Sequence, residues 1–324
     1  IGIITGSSSV GGLTGCIDSE VNMIFATVNF TYHGNAIGNA ENSGGFVGFI
    51  SRCTNIIMSI SNSTNNGNVS GNKYIGGFVG HTFSNTNMNT TISNSFSNGN
   101  IIGSGNCVGG FIGFIHDHKS RTVVTISECT NNGNITGDWD VGGFAGTILG
   151  NTGMNTTISK STNNGVIVGH SYTVGGIVGS IIRNTKVTVI LTEYANNGSV
   201  TGLNEVGGVV GLINKNTNMA MTISDSVNNG NVYGKQEIGG VVGVISDSTD
   251  MAVTIVNSTN NGFANGCGNY VGGFIGYVDA SANISMMISN STNNGNTTGS
   301  DEVGGFVGHF FKNTNECDYL KLNK

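Results

Sequence analysis

The chain has 324 residues, of which 54 are glycine and 48 asparagine, with no proline and only 9% charged side chains. A formal net charge of -6, a pI near 5.4 and the lack of a basic patch exclude a nucleic-acid surface. Abundant Val and Ile exclude a disordered chain, and no apolar run reaches the roughly 18 residues of a membrane-spanning helix.

Taken from the start, the first pattern is the hexad Val/Ile-Gly-Gly-apolar-x-Gly at Val10. It returns at Ser43, Ile75, Val108, Val141, Val174, Val206, Ile238, Val271 and Val303, always 32 or 33 residues on. A second block follows each hexad and reads Thr-Ile-Ser-x-Ser-x-Asn-Asn-Gly, clearest over 125–133, 157–165, 222–230 and 254–262, and eroded over 26–34. A third block, Asn-Val-x-Gly, comes next, as at 68–71, 134–137 and 231–234. The second block alternates with a period of two, the signature of a half-buried strand. Glycine throughout argues against helix, where it costs about 1 kcal/mol relative to alanine.

Three short strands in a 33-residue period predict an all-β fold, a parallel β-solenoid of about ten coils. At about 4.8 Å per coil the rod is roughly 48 Å long. A β-propeller is the rival, but its blades take about 40–50 residues and its usual count is four to eight. Residues 1–311 then form one solenoid domain, and 312–324 a C-terminal cap or the start of a further segment. Residues 4–6 (Ile-Thr-Gly) look like the third block of a preceding repeat, which fits a piece of a longer protein or a protomer with open ends.

These blocks, Val-Gly-Gly-Phe-Val-Gly, then Thr-Ile-Ser-x-Ser, then Asn-Gly-Asn-Val-x-Gly, resemble the GLUG-motif repeats of bacterial and protist surface proteins. The resemblance spans about residues 3–311. It departs from the family in a longer linker before the second block (85–89, 214–220) and in Phe or Val where Leu is frequent. What it implies is a secreted, adhesin-like β-solenoid; the motif speaks to architecture far more than to activity.

Within the hexad, strand alternation places the first and fifth residues on one face and the fourth on the other. With Val108 and Ile112 inside, the fourth residues form an outward apolar stripe: Phe46, Phe78, Phe111, Phe144, Ile177, Val209, Val241, Phe274 and Phe306. Such a stripe marks an interface, unless a bulge turns it inward or the linker covers it. The Asn-Asn-Gly corner suits left-handed backbone, and its stacked amides form ladders in the manner of cross-β assemblies. Sequons at Asn62, Asn68, Asn89, Asn134, Asn257, Asn283 and Asn296 are candidate N-glycosylation sites on a eukaryotic secretory route.

Evidence for catalysis is thin. The best carboxylate grouping is Asp138 and Asp140 near Glu205, against a plainer reading as solvated turn residues; glycoside chemistry needs carboxyl groups about 5–9.5 Å apart. His116-Asp117-His118 places two imidazoles on one strand face without a third ligand, or else forms a polar loop tip. The six cysteines occupy no common register, so their pairing is open. No cofactor or metal motif appears. The expectation is a non-enzymatic extracellular or cell-surface structural protein, self-associating into a filament or coat through its strands and apolar stripe. Glycans are possible partners; nucleic acid and membrane insertion within this segment are not expected. An adhesin stalk that binds glycans or a host surface is the alternative, and a carbohydrate-active β-helix enzyme the third reading.

Overall fold

The computed structural model describes residues 2–280, 282–312 and 319–323. It is an all-β parallel solenoid: five sheets of nine or ten strands run the length of the rod, and strands adjacent within a sheet come from consecutive coils. There is no helix among the described residues, and so none able to cross a membrane.

The three sequence blocks resolve into five strands per coil, because the first two each contain a bend. In one coil these are Val108–Gly109, Ile112–His116, Val123–Ser127, Thr130–Asn131 and Ile135–Gly137. We call the corresponding sheets I to V. Register aligns like with like: Gly109 pairs with Gly142, Ile126 with Ile158 and Asn131 with Asn163. Tyr319–Asn323 pairs with Ser285–Ser289 in sheet III, so the stacking continues past residue 311.

The apolar stripe faces inward. Phe46, Phe78, Phe111, Phe144, Ile177, Val209, Val241 and Phe274 are buried in the core, and Phe306 is partly buried against it. The physical reason is a corner. The strand stops after the first glycine and the chain bends through Gly110 and Phe111 before a new strand starts at Ile112. Alternation therefore does not carry across, and Val108, Phe111 and Ile112 all point to the interior. A Cβ on Gly110 would lie 2.1 Å from the Gly143 carbonyl of the next coil, so the corner admits nothing larger than glycine. Inside, Phe46, Phe78, Phe111 and Phe144 form a stack with centroids 4.5 to 5.0 Å apart and rings within 14° of parallel. The nine stripe positions therefore form no exposed face.

The Asn-Asn-Gly corner forms amide ladders, as the sequence suggests, but not for the backbone reason given. None of its asparagines has positive φ. The first asparagine is buried and its amide donates toward the next coil: Asn131 to Asn163, Asn163 to Asn196, Asn196 to Asn228 and Asn228 to Asn260, each at 2.8 Å. The second is exposed and donates the other way, Asn132 to Asn98 and Asn164 to Asn132 among them.

A further buried column, Asn85, His118, Asn151, Asn184 and Asn216, follows sheet II. Each accepts the backbone N–H of the residue one coil before: Asn85 to His118 Nδ1, His118 to Asn151 Oδ1, Asn151 to Asn184 Oδ1 and Asn184 to Asn216 Oδ1.

Candidate functional site

Several columns of the rod change residue type from coil to coil, and one of them lies at a corner. The residue just before each hexad, Ser9, Asn42, Tyr74, Cys107, Asp140, Thr173, Glu205, Glu237, Tyr270 and Glu302, has positive φ in all ten coils. Left-handed backbone costs roughly 1–2 kcal/mol outside glycine, and it is a true outlier for a β-branched residue such as Thr173. Yet a chain with 54 glycines places none here. These side chains emerge from sheet I over the outer face of sheet II, where they meet another varied column: Phe49, His81, Phe114, Thr147, Ser180, Leu212, Val244, Tyr277 and His309. We call this corner the furrow; a cavity opens at its middle.

Its lining changes in blocks. Near the N-terminal end Tyr74 packs on His81 and Phe114, with centroids 4.7 and 4.8 Å away. Toward the C-terminal end Tyr270 packs on Tyr277 and His309. The middle holds a cavity of about 600 Å³ lined by Trp139, Asp140, Leu149, Tyr172, Thr173, Ile182, Arg183, Glu205, Leu212 and Asn214. Trp139 is the only tryptophan in the chain. Its ring and that of Tyr172 sit edge to face at 5.5 Å, and both residues remain substantially exposed, at 44% and 40%.

Between the aromatic rings and Leu212 lie the carboxylates. Thr173 Oγ1 donates to Glu205 Oε2 at 2.5 Å. Thr147 and Ser180 hydroxyls face Asp140, and Ser180 Oγ donates in turn to Thr147 Oγ1 at 3.3 Å. Burial pushes the Asp140 carboxyl up to about 6 against those hydroxyl contacts, with the charge of Glu205 adding to the rise. Glu237, one coil beyond Glu205, is pushed up to about 7 by burial and then by Glu205. Glu205 itself is raised by burial. At the exposed start of the furrow the balance is opposite: Arg52 holds Asp18 at 2.6 Å, and hydrogen bonds from Arg52 and Ser51 keep its carboxyl below the usual range.

Of the sequence's carboxylate group, Asp140 and Glu205 do share this furrow. Asp138 does not join them; its carboxylate accepts from Ser171 Oγ at 2.6 Å. The two imidazoles of His116 and His118 do not share a face. Positive φ at Asp117 turns the chain, leaving His116 half-exposed beside Phe83 and Phe114. His118 is buried, neutral and bonded to Thr82 Oγ1 at 2.9 Å, with burial pushing its pKa down to about 4. Both its ring nitrogens are engaged, Nδ1 by the Asn85 N–H, and the residue is no loop tip. No group of three metal-ligating side chains exists among the described residues.

The five described cysteines are unpaired, and Cys317 lies outside the described residues. All seven candidate sequon asparagines are exposed. Sequence reasoning missed Trp139 and Tyr172, although a lone tryptophan next to Asp140 was a visible signal. Comparison of the chain with protein-family models, with curated proteins and with solved structures returns no match, so the likeness to GLUG-motif repeats stands on the motif residues alone.

Proposed function

We propose that the chain is a non-enzymatic, extracellular β-solenoid stalk that binds a glycan along its furrow. The observation that carries this reading is the central cavity, where Trp139 and Tyr172 stand half-exposed beside Asp140, Thr173, Arg183 and Glu205. Concave sites with aromatic walls and a few convergent polar groups are the usual form of a ligand site. Exposed aromatic faces take the apolar face of a pyranose ring, while carboxylates and hydroxyls take its hydroxyl donors. The rest of the rod supplies stiffness: nine or ten parallel strands per sheet and a continuous core fix the furrow residues relative to one another.

With the Phe stripe inside, lateral assembly through that stripe loses its basis, and the stalk reading gains over the filament reading. The test is a glycan array, followed by calorimetric titration of the hits. Saccharide binding that falls at least tenfold in the Trp139→Ala/Tyr172→Ala double variant supports the proposal. An array with no saccharide hit, or a double variant that binds as well as the parent, overturns it.

A further inference from the structure

The furrow has a chemical bias beyond its shape. From the fifth to the ninth coil it carries Asp140, Glu205, Glu237, Asp247 and Asp279, against Arg183 and Lys215, which are both exposed. The acids act on one another across coils. Glu205 influences both Asp140 and Glu237, and Glu237, Asp247 and Asp279 all act on Tyr277. The same stretch also has acceptors to spare. Asn204 Oδ1, in the strand beside Tyr172, and Asp279 Oδ1 are buried and make no hydrogen bond. Acceptors left unpaired add to the negative potential of this stretch. The occupant that fits is rich in donors, bears positive charge and has flat faces for Trp139 and Tyr172.

We propose that the furrow between Trp139 and Asp279 recognises a saccharide bearing free amino groups, with its ring faces on Trp139 and Tyr172 and its ammonium groups on Asp140, Glu205 and Glu237. This rests on the glycan-binding reading and names its ligand class. Consecutive coils advance about 4.8 Å, so a linear saccharide lying along the rod meets Asp140, then Glu205 two coils on, then Glu237 one coil further. An ammonium supplies three donors and no acceptor, which matches a wall of carboxylates with the unpaired amide oxygen of Asn204 beside it. A uronic acid polymer brings negative charge to the same wall and finds Arg183 as the one base lining the central cavity.

Proton release gives an independent readout. Asp140 is faced by Cys107, Thr147, Ser180, Glu205 and Arg183, and Glu237 by Glu205, Tyr277 and, through Tyr277, Asp247. With Asp140 raised to about 6 and Glu237 to about 7, the empty furrow holds protons near neutrality. An ammonium displaces them, so while the saccharide's own amines stay protonated, binding releases protons and strengthens as pH rises above about 5.

The experiment is calorimetric titration of the whole chain with four probes: a glucosamine hexamer with free amines, its fully N-acetylated counterpart, a galacturonic acid hexamer and spermine. Repeating it in buffers of different ionisation enthalpy counts the protons released. The expected result is at least tenfold tighter binding of the amine hexamer than of the acetylated one, with protons released. Glu205→Gln and Glu237→Gln should each cut that preference severalfold while strand content by circular dichroism is unchanged. Equal or tighter binding of the acetylated or the galacturonic hexamer overturns the inference and leaves the glycan reading intact. Spermine binding as tightly as the amine hexamer also overturns it, since charge alone then suffices. If no saccharide binds, both readings fall.

Discussion

Replacing Asn196 with alanine tests whether the buried amide ladder holds the coils together. Asn196 is fully buried. Its Nδ2 donates to Asn228 Oδ1 at 2.8 Å and to the Gly198 carbonyl at 3.0 Å, and its Oδ1 accepts from Asn163 Nδ2 at 2.8 Å. Alanine removes all three bonds. Asn163 keeps its bond to the Gly165 carbonyl, whereas Asn228 Oδ1 and the Gly198 carbonyl lose the donor that Asn196 gives them. At roughly 1–3 kcal/mol per deprived buried group, the expected loss is about 3–5 kcal/mol. The control is one residue away. Asn197 is exposed, donates to Asn164 at 2.9 Å and accepts from Asn229 at 2.8 Å. Water replaces those bonds, so Asn197→Ala should cost no more than about 0.5–1 kcal/mol. Urea unfolding followed by circular dichroism gives both numbers, and amide exchange should locate the weakening in the coils that flank residue 196. Equal losses in the two variants would refute the reasoning, because burial would then not govern what an amide ladder contributes.

Phe111→Ala should cost about 3–5 kcal/mol by thermal or urea unfolding, since it opens a gap in a stack of fully buried rings. A value under about 1 kcal/mol would contradict its inward placement. Asp140 and Glu237 have folded pKa values near 6 and 7, above their ordinary 3.8 and 4.5. Their contribution to stability is therefore full below about pH 4 and is lost as pH rises through about 7. Measured as a difference from the Asp140→Asn/Glu237→Gln variant, wild-type stability should fall between those limits; a flat difference refutes the burial of these carboxyls. His118 has the opposite sign. Its pKa is depressed from 6.5 to about 4, so the stability it contributes is present above about pH 6.5 and lost as pH falls through about 4. Asparagine is what its column holds in neighbouring coils, so His118→Asn should leave stability within about 1 kcal/mol at pH 7 and improve it at pH 4. Stability curves at the two pH values decide it.

The period, the strand content and the parallel stacking were legible because every coil repeats the same three blocks in the same order. What the sequence hid lies at its corners. Alternation assumes that a strand continues, and the bend at Gly110 and Phe111 breaks that assumption, so Phe111 enters the core beside Val108. The asparagine ladders were expected, but left-handed backbone was assigned to the wrong residues: it falls on Asp117, Glu128 and Asp140 rather than on Asn131 and Asn132. The furrow escaped for a more basic reason. A repeat search keeps what recurs, and the residues before the hexads recur in conformation while differing in chemistry. Asp140 and Glu205 stand 65 positions apart, and only their shared distance from the next Gly-Gly brings the two carboxylates to one corner.

That arrangement separates what the fold needs from what the surface says. Serine, asparagine, tyrosine, cysteine, aspartate, threonine and glutamate all occupy the same backbone position before the hexad, and one continuous apolar core lies behind them. Each coil thus works like one character on a tape, advanced by about 4.8 Å and rewritable without disturbing its neighbours' packing. Duplicating or deleting a whole coil would keep the rod closed while shifting every later character by one place. Recognition on such a scaffold can change in length and phase as readily as in chemistry, by copying a segment of 32 or 33 residues.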